Sequence, residues 1–169
     1  MRTTALIVFL LSAIAIAASA GDPPKPWTGS AETADFGANL FLVSDLKTFM
    51  TQWEKPGDIA RIDMVSSVAA GRSVEAVILF WGCQASSDIG NCQLFAETSV
   101  LSTDGTPLGG GPPKPIWTKP PPASGLLSLG ETTVSLAPAG DPAALQVQTI
   151  VTDRVSGKSV KLTVPLEYR

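Results

Sequence analysis

The chain contains no histidine. That removes the side chain that titrates nearest neutral pH, and with it Ser–His and Cys–His nucleophile activation and most zinc or copper sites. Lysine and arginine total 12 against 15 acidic residues, with no basic cluster. This argues against nucleic acid, whose phosphates require grouped cations, and against an anionic membrane surface. The only two cysteines are too few for a metal clip without histidine to complete it. Their spacing is not the C-x-x-C of a redox pair, and no neighbouring base would depress a thiol pKa. The glycines at 109–111 lack both the G-x-x-x-x-G-K-[ST] spacing and a following helix, so no phosphate loop is present. No catalytic residue, metal ligand set or cofactor is indicated.

What is present begins with a signal peptide, residues 1–20. Arg2 supplies the positive start, Ala5–Ala18 the apolar run, and Ala18-Ser19-Ala20 a small-x-small cleavage site. The run is shorter than the roughly 20 residues a membrane-spanning helix needs, so no span is expected after cleavage. Cleavage would leave 149 residues with a net charge of −4, enough for one domain with a core of its own. Residues 21–37 form a Pro/Gly-rich leader, extended and partly disordered at its start. Trp27 within it would dock on the fold or meet a partner. A single domain covers residues 38–169.

Within that domain, Leu40–Val43 is a short buried strand candidate. Leu46, Phe49, Met50 and Trp53 share one helical face, so residues 45–54 are read as a short helix or an irregular edge segment, with Ser44 or Asp45 as cap and the stripe as core. Ile62, Met64, Ser66 and Val68 alternate, making Ile59–Ala69 a strand candidate. Val74–Trp81 is apolar on both faces apart from Glu75, as befits a strand in mid-sheet or under a covering element.

Cys83 and Cys92 bracket the polar loop Gln84–Asn91. Pairing them places Trp81 opposite Leu94, Leu79 opposite Ala96, Val77 opposite Thr98 and Phe80 opposite Phe95. The expectation is a β-hairpin, Val74–Leu101, closed by a disulfide worth roughly 2–3 kcal/mol. On this reading the cysteines close one local hairpin rather than bridging two sheets. Asp104-Gly105 marks a tight turn. A Pro-rich crossover over 107–125 follows, poor in sheet hydrogen bonding. It either lies along the sandwich edge pinned by Trp117 or exposes a Pro–Trp binding strip. Leu126–Leu129 and Thr132–Leu136 are short strands, and residues 138–142 form a turn. Finally, Leu145, Val147, Thr149 and Val151 match Leu166, Val164, Leu162 and Val160 across a turn closed by Asp153 and Lys158. Gly157 stands where a left-handed residue is required. Pro165 suggests that the last strand lies toward an edge.

About seven short strands with little helix read as an all-β, antiparallel immunoglobulin-like β-sandwich. Trp53-x-x-Pro56, Phe80-x-Gly82-Cys83, Gly90-Asn91-Cys92, Asp104-Gly105, and Gly140-Asp141 followed by Val147, Val151 and Asp153 give the chain a spacing that resembles a group of small exported bacterial β-sandwich proteins without an assigned activity. Members of such groups often carry Tyr early in the penultimate strand, where Leu145 stands here. The resemblance implies a periplasmic or secreted sandwich and no catalytic residues.

The function expected is a non-catalytic binding or accessory module of the cell envelope, its partner an envelope protein or polysaccharide. Loops are where sandwiches usually bind. Trp117, Ile116 and Pro115 in the crossover, and Asp88 and Asn91 in the cysteine loop, are therefore the candidate surface. One alternative is an assembly subunit or chaperone adding a strand through an exposed edge such as Ile59–Ala69. A glycoside hydrolase built on carboxylates alone would need two about 5–10 Å apart, drawn from Asp88, Glu97, Glu131 and Asp141. A calcium site around Asp88 and Asn91 would have a spacing far from that of an EF-hand loop.

Overall fold

A computed structural model describes residues 29–33, 35–55, 63–137 and 143–169. The expected signal peptide, Trp27 and the turn at 138–142 lie outside the described residues. The chain is an immunoglobulin-like β-sandwich of two sheets. The first holds β1 (Gly29–Thr33), β2 (Phe36–Val43), β4 (Val74–Trp81), and the short β8 (Ser128–Leu129) and β9 (Val134–Leu136), both paired to β4. The second holds β3 (Ser67–Val68), β11 (Lys158–Tyr168), β10 (Ala143–Asp153), β5 (Leu94–Ser102), and β6 (Pro107–Gly110) and β7 (Lys114–Trp117), which share the outer edge of β5. All pairings are antiparallel except β3 with β11.

The C-terminal hairpin has the register its alternation implies. Val151 pairs Val160, Thr149 pairs Leu162, Val147 pairs Val164 and Leu145 pairs Leu166, closed by Asp153 opposite Lys158. Every second residue of both strands enters the core, ending on Tyr168. Thr149 and, at the turn, Asp153 are the polar exceptions. Thr149 is fully buried and shares a 2.9 Å hydrogen bond with the Thr98 hydroxyl on β5, so neither oxygen is left unpaired. Beyond β11 only the two residues of β3 pair. The rest of that edge is approached by β1, where a side chain on Gly29 would strike the Thr163 backbone.

β4 is apolar on both faces because both are covered. Ala76, Ile78 and Phe80 join the inter-sheet core. Val77 and Leu79 join Phe41, Val43 and Phe49 in a second cluster under α1 (Leu46–Trp53). The helix therefore forms, and its stripe of Leu46, Phe49, Met50 and Trp53 is packing. Asp45 caps it, its carboxylate accepting the Thr48 N–H at 2.9 Å.

Four expectations change. β4 and β5 do not form a hairpin. β4 pairs with β2, β8 and β9, whereas β5 pairs with β10, β6 and β7. The Cys83–Cys92 disulfide is formed, but it joins chain segments entering opposite sheets. Two strands facing one another across a core need the same inward alternation as two neighbours in a sheet, so parity alone fitted both arrangements.

Secondly, the sandwich begins inside the stretch read as leader. The small residues of β1 and Phe36–Asn39 complete a hairpin that extends the Leu40–Val43 strand backwards. Thirdly, the described part of Ile59–Ala69 changes sheet. Met64 bridges to Val43 of β2, while Ser67 and Val68 pair with β11; Ile62 lies outside the described residues. Fourthly, the crossover does pair. Its glycines 109 and 110 sit opposite Val100 and Ser99, and Lys114 and Pro115 opposite Ala96 and Phe95, before the chain passes to β8 in the first sheet. Proline keeps these edge strands short and irregular.

Candidate functional site

The expected surface residues separate. Ile116, named for the candidate surface, is 2% exposed and part of the inter-sheet core, since alternation along β7 turns it inward. Trp117 is half-buried. Its ring meets Phe80 edge-on at 5.3 Å, its indole N–H donates to the Pro120 carbonyl at 3.0 Å, and the Lys119 ammonium lies over its face. The crossover is thus pinned by Trp117. Pro115 is exposed beside it.

Asp88 is exposed in the cysteine loop, where the neighbouring Ser86 hydroxyl, which makes no hydrogen bond of ordinary geometry, and the backbone N–H groups of Asp88 and Ile89 favour its ionised form and lower its carboxyl below the usual carboxylate range. Asn91 is half-buried and its carbonyl accepts the Ser86 N–H. The two expected loops do touch, through the Cys92 N–H donated to the Lys119 carbonyl at 2.9 Å. None of these five residues lines either of two cavities, of about 520 and 530 Å³, among the described residues.

Those cavities lie at opposite ends of the sandwich. One, of about 520 Å³, opens between the sheets at the end away from the disulfide. Register places it there: Ala143 pairs Tyr168, Leu145 pairs Ser102, and Val134 to Leu136 pair the start of β4. Val100, Val134, Leu136 and Leu145 form apolar walls, the exposed Leu108 and Lys114 stand at the rim, and Tyr168 and Thr98 complete the lining. Tyr168 is 6% exposed, and its hydroxyl makes no hydrogen bond among the described residues. The oxygen itself reaches the cleft surface; the one side-chain oxygen buried without a partner among the described residues is that of Ser86. Sequence reading missed this cleft. Its one legible signal was that the only tyrosine of the chain continues the inward parity of Val164 and Leu166.

The second cavity, of about 530 Å³, lies at the disulfide end. Trp81, Gly82, Cys83 and Gln84 line one side, residues 121–125 another, with Asp35, Ser156 and Lys158 between. Trp81 is half-buried and its ring covers Gly37, where any side chain would occupy the ring's place. Gly82 follows at φ +75°, and a side chain there would meet the Asp35 carbonyl, so glycine is required twice over. Asp35 is ion-paired with Lys158. Beneath lies Asp153, fully buried, accepting from the Gln84 N–H at 2.9 Å, the Val155 N–H at 3.0 Å and the Ser156 hydroxyl at 2.8 Å.

The carboxylates considered for hydrolysis are spread out. Glu131 is ion-paired with Lys119, Glu97 and Asp88 are exposed on different elements, and Asp141 lies outside the described residues. Asp35 is the one carboxylate among the residues lining these two cavities. Among the described residues no group of three or more Cys, Asp or Glu is placed to hold a metal, and no helix is long and apolar enough to cross a membrane.

No protein-family model matches the chain, and no curated protein is similar to it. Among solved structures, it is similar to a Niemann-Pick type C2 protein from the Japanese carpenter ant, at 10% identity and a TM-score of 0.45, covering 84% of this chain and 92% of that one. It is also similar to a family 123 glycoside hydrolase from Clostridium perfringens, at 12% identity and a TM-score of 0.37. That likeness covers 79% of this chain and 27% of the hydrolase. Neither likeness bears on activity.

Proposed function

We propose that this protein is an exported, non-catalytic binding module that takes a small amphipathic ligand into the cleft between its sheets. The observation that carries this reading is a space of about 520 Å³ between the sheets, walled mainly by Val100, Val134, Leu136 and Leu145, with the Tyr168 side chain in its lining. That volume falls within the roughly 300–1,000 Å³ of small-molecule sites. Mainly apolar walls with one phenol in the lining and one rim cation suit an acyl or ring-like body carrying a single polar or anionic group. Export is supported by the disulfide, which persists in oxidising compartments.

The test uses the fluorescent probe 1-anilinonaphthalene-8-sulfonate, displaced by dodecanoate. The native protein is expected to enhance the probe's emission and to release it as dodecanoate is added. Ala143→Trp, at an exposed alanine on the cleft's lining, is expected to abolish both while leaving thermal stability unchanged. Absence of saturable enhancement in the native protein, or full retention in Ala143→Trp, would overturn the assignment.

A further inference from the structure

The disulfide-end cavity carries a second inference, independent of the first. Its chemistry differs from that of the cleft. Trp81 offers an indole whose N–H makes no hydrogen bond among the described residues, whereas the N–H of Trp117 is already donated to Pro120. The Trp81 ring lies over Gly37 of β2, in the space that a side chain there would take. The side-chain amide of Gln84 and the hydroxyl of Ser124 line the same cavity and are also without partners among the described residues. Pro121 and Pro122 add rigid apolar wall. The cavity's two charges, Asp35 and Lys158, pair with each other, so neither sign is left over for an ionised ligand.

The framework beneath is firmly held. The disulfide fixes Cys83, the buried Asp153 fixes the Gln84 backbone and the Ser156 hydroxyl, and the Cys92–Lys119 hydrogen bond ties in the crossover. A rigid aromatic platform with unspent amide and hydroxyl groups around it matches the faces of a sugar ring, apolar C–H groups on one side and hydroxyls at the rim. Main-chain pairing with a peptide is not offered there, because β4 is already paired with β2 beside Trp81. We propose that this cavity is a binding site for a neutral oligosaccharide, stacked on Trp81 and hydrogen-bonded by Gln84 and Ser124.

The experiment titrates the full chain with cellohexaose, maltohexaose and chitohexaose, and with a proline-rich decapeptide as the rival. Binding is followed by tryptophan emission and calorimetry. At least one saccharide is expected to bind with a blue shift. Trp81→Ala should weaken it at least about tenfold. Gln84→Ala and Ser124→Ala each remove an unpartnered surface group, so they are expected to weaken binding several-fold with thermal stability unchanged. They keep the test decisive if Trp81→Ala does not fold. Ala143→Trp, which blocks only the opposite cleft, should bind the saccharide normally, which separates failure here from failure of the amphipathic site. Binding of none of the three saccharides at millimolar concentration, binding of the peptide alone, or saccharide binding unchanged in both Gln84→Ala and Ser124→Ala would overturn the proposal.

Discussion

The carboxylate of Asp153 accepts the main-chain N–H of Gln84 at 2.9 Å, 69 positions away in the chain. The residue is fully buried and serves three donors, so it joins the β10–β11 turn to the cysteine loop. Asp153→Ala leaves those donors without a partner and is expected to cost about 3 kcal/mol in denaturant unfolding. Asp153→Asn, which keeps one acceptor oxygen, is expected to fall between the alanine variant and the native protein.

Reducing the Cys83–Cys92 bridge is expected to lower stability by roughly 2–3 kcal/mol through the greater freedom of the unfolded chain. Calorimetry with and without reductant, and on a Cys83→Ser/Cys92→Ser protein, checks it. Because the bridge joins opposite sheets, hydrogen exchange should quicken at the near ends of β4 and β5 more than along the β10–β11 hairpin. Unchanged stability would show that the bridge does not constrain the fold.

Tyr168→Phe removes an oxygen with no partner among the described residues. Stability is expected to stay within about 0.5 kcal/mol of the native value. Affinity for dodecanoate should fall about five- to tenfold, as for the loss of one hydrogen bond near 1 kcal/mol. A large loss of stability with affinity intact would assign the hydroxyl a purely structural role.

Trp117→Ala removes the contact with Phe80 and the hydrogen bond to Pro120. The crossover should become the first site of cleavage in limited proteolysis, with about 2–4 kcal/mol of stability lost. Trp117→Phe retains an aromatic contact and is expected to protect the crossover in part.

The Asp45 carboxyl is held below its ordinary value of 3.8, chiefly by the Thr48 N–H and then by the Thr48 hydroxyl. Its folded value lies below its unfolded one. The stability it contributes is therefore present above the unfolded value and is lost as pH falls through the folded one. The difference in melting temperature between native protein and Asp45→Ala should be constant near neutrality and close once the pH is well below 3.8.

Much of the fold was legible where one pattern admitted one arrangement. The alternation of Leu145–Val151 against Val160–Leu166, joined by a short turn with Gly157, leaves no other partner within reach, and the whole register follows. The stripe Leu46, Phe49, Met50 and Trp53 and the two-faced β4 each implied the other, and they meet in one cluster. The β4–β5 relation was not legible, because inward-facing residues such as Phe80 and Leu94 satisfy a hairpin and a sandwich equally. The cavities were less legible still. Trp117 and Trp81 look alike in sequence, and only the packing of one on Phe80 and the other on Gly37 separates a pin from a platform. The cleft around Tyr168 is lined by β9 from one sheet and by β5, β10 and β11 from the other, a long-range juxtaposition that no local spacing encodes.

The placement of the disulfide has a mechanical consequence. Two layers stapled at one end separate by pivoting about the staple, and the displacement grows with distance from it. The Tyr168 cleft lies at the far end of the strands, where the lever arm is longest. A small angular opening there widens the aperture with little disturbance of the layers near Cys83. On the binding reading proposed above, the bridge is expected to act as the fulcrum that limits how large a guest the opposite mouth admits, and an oxidised molecule is expected to tolerate a narrower range of chain lengths than a reduced one.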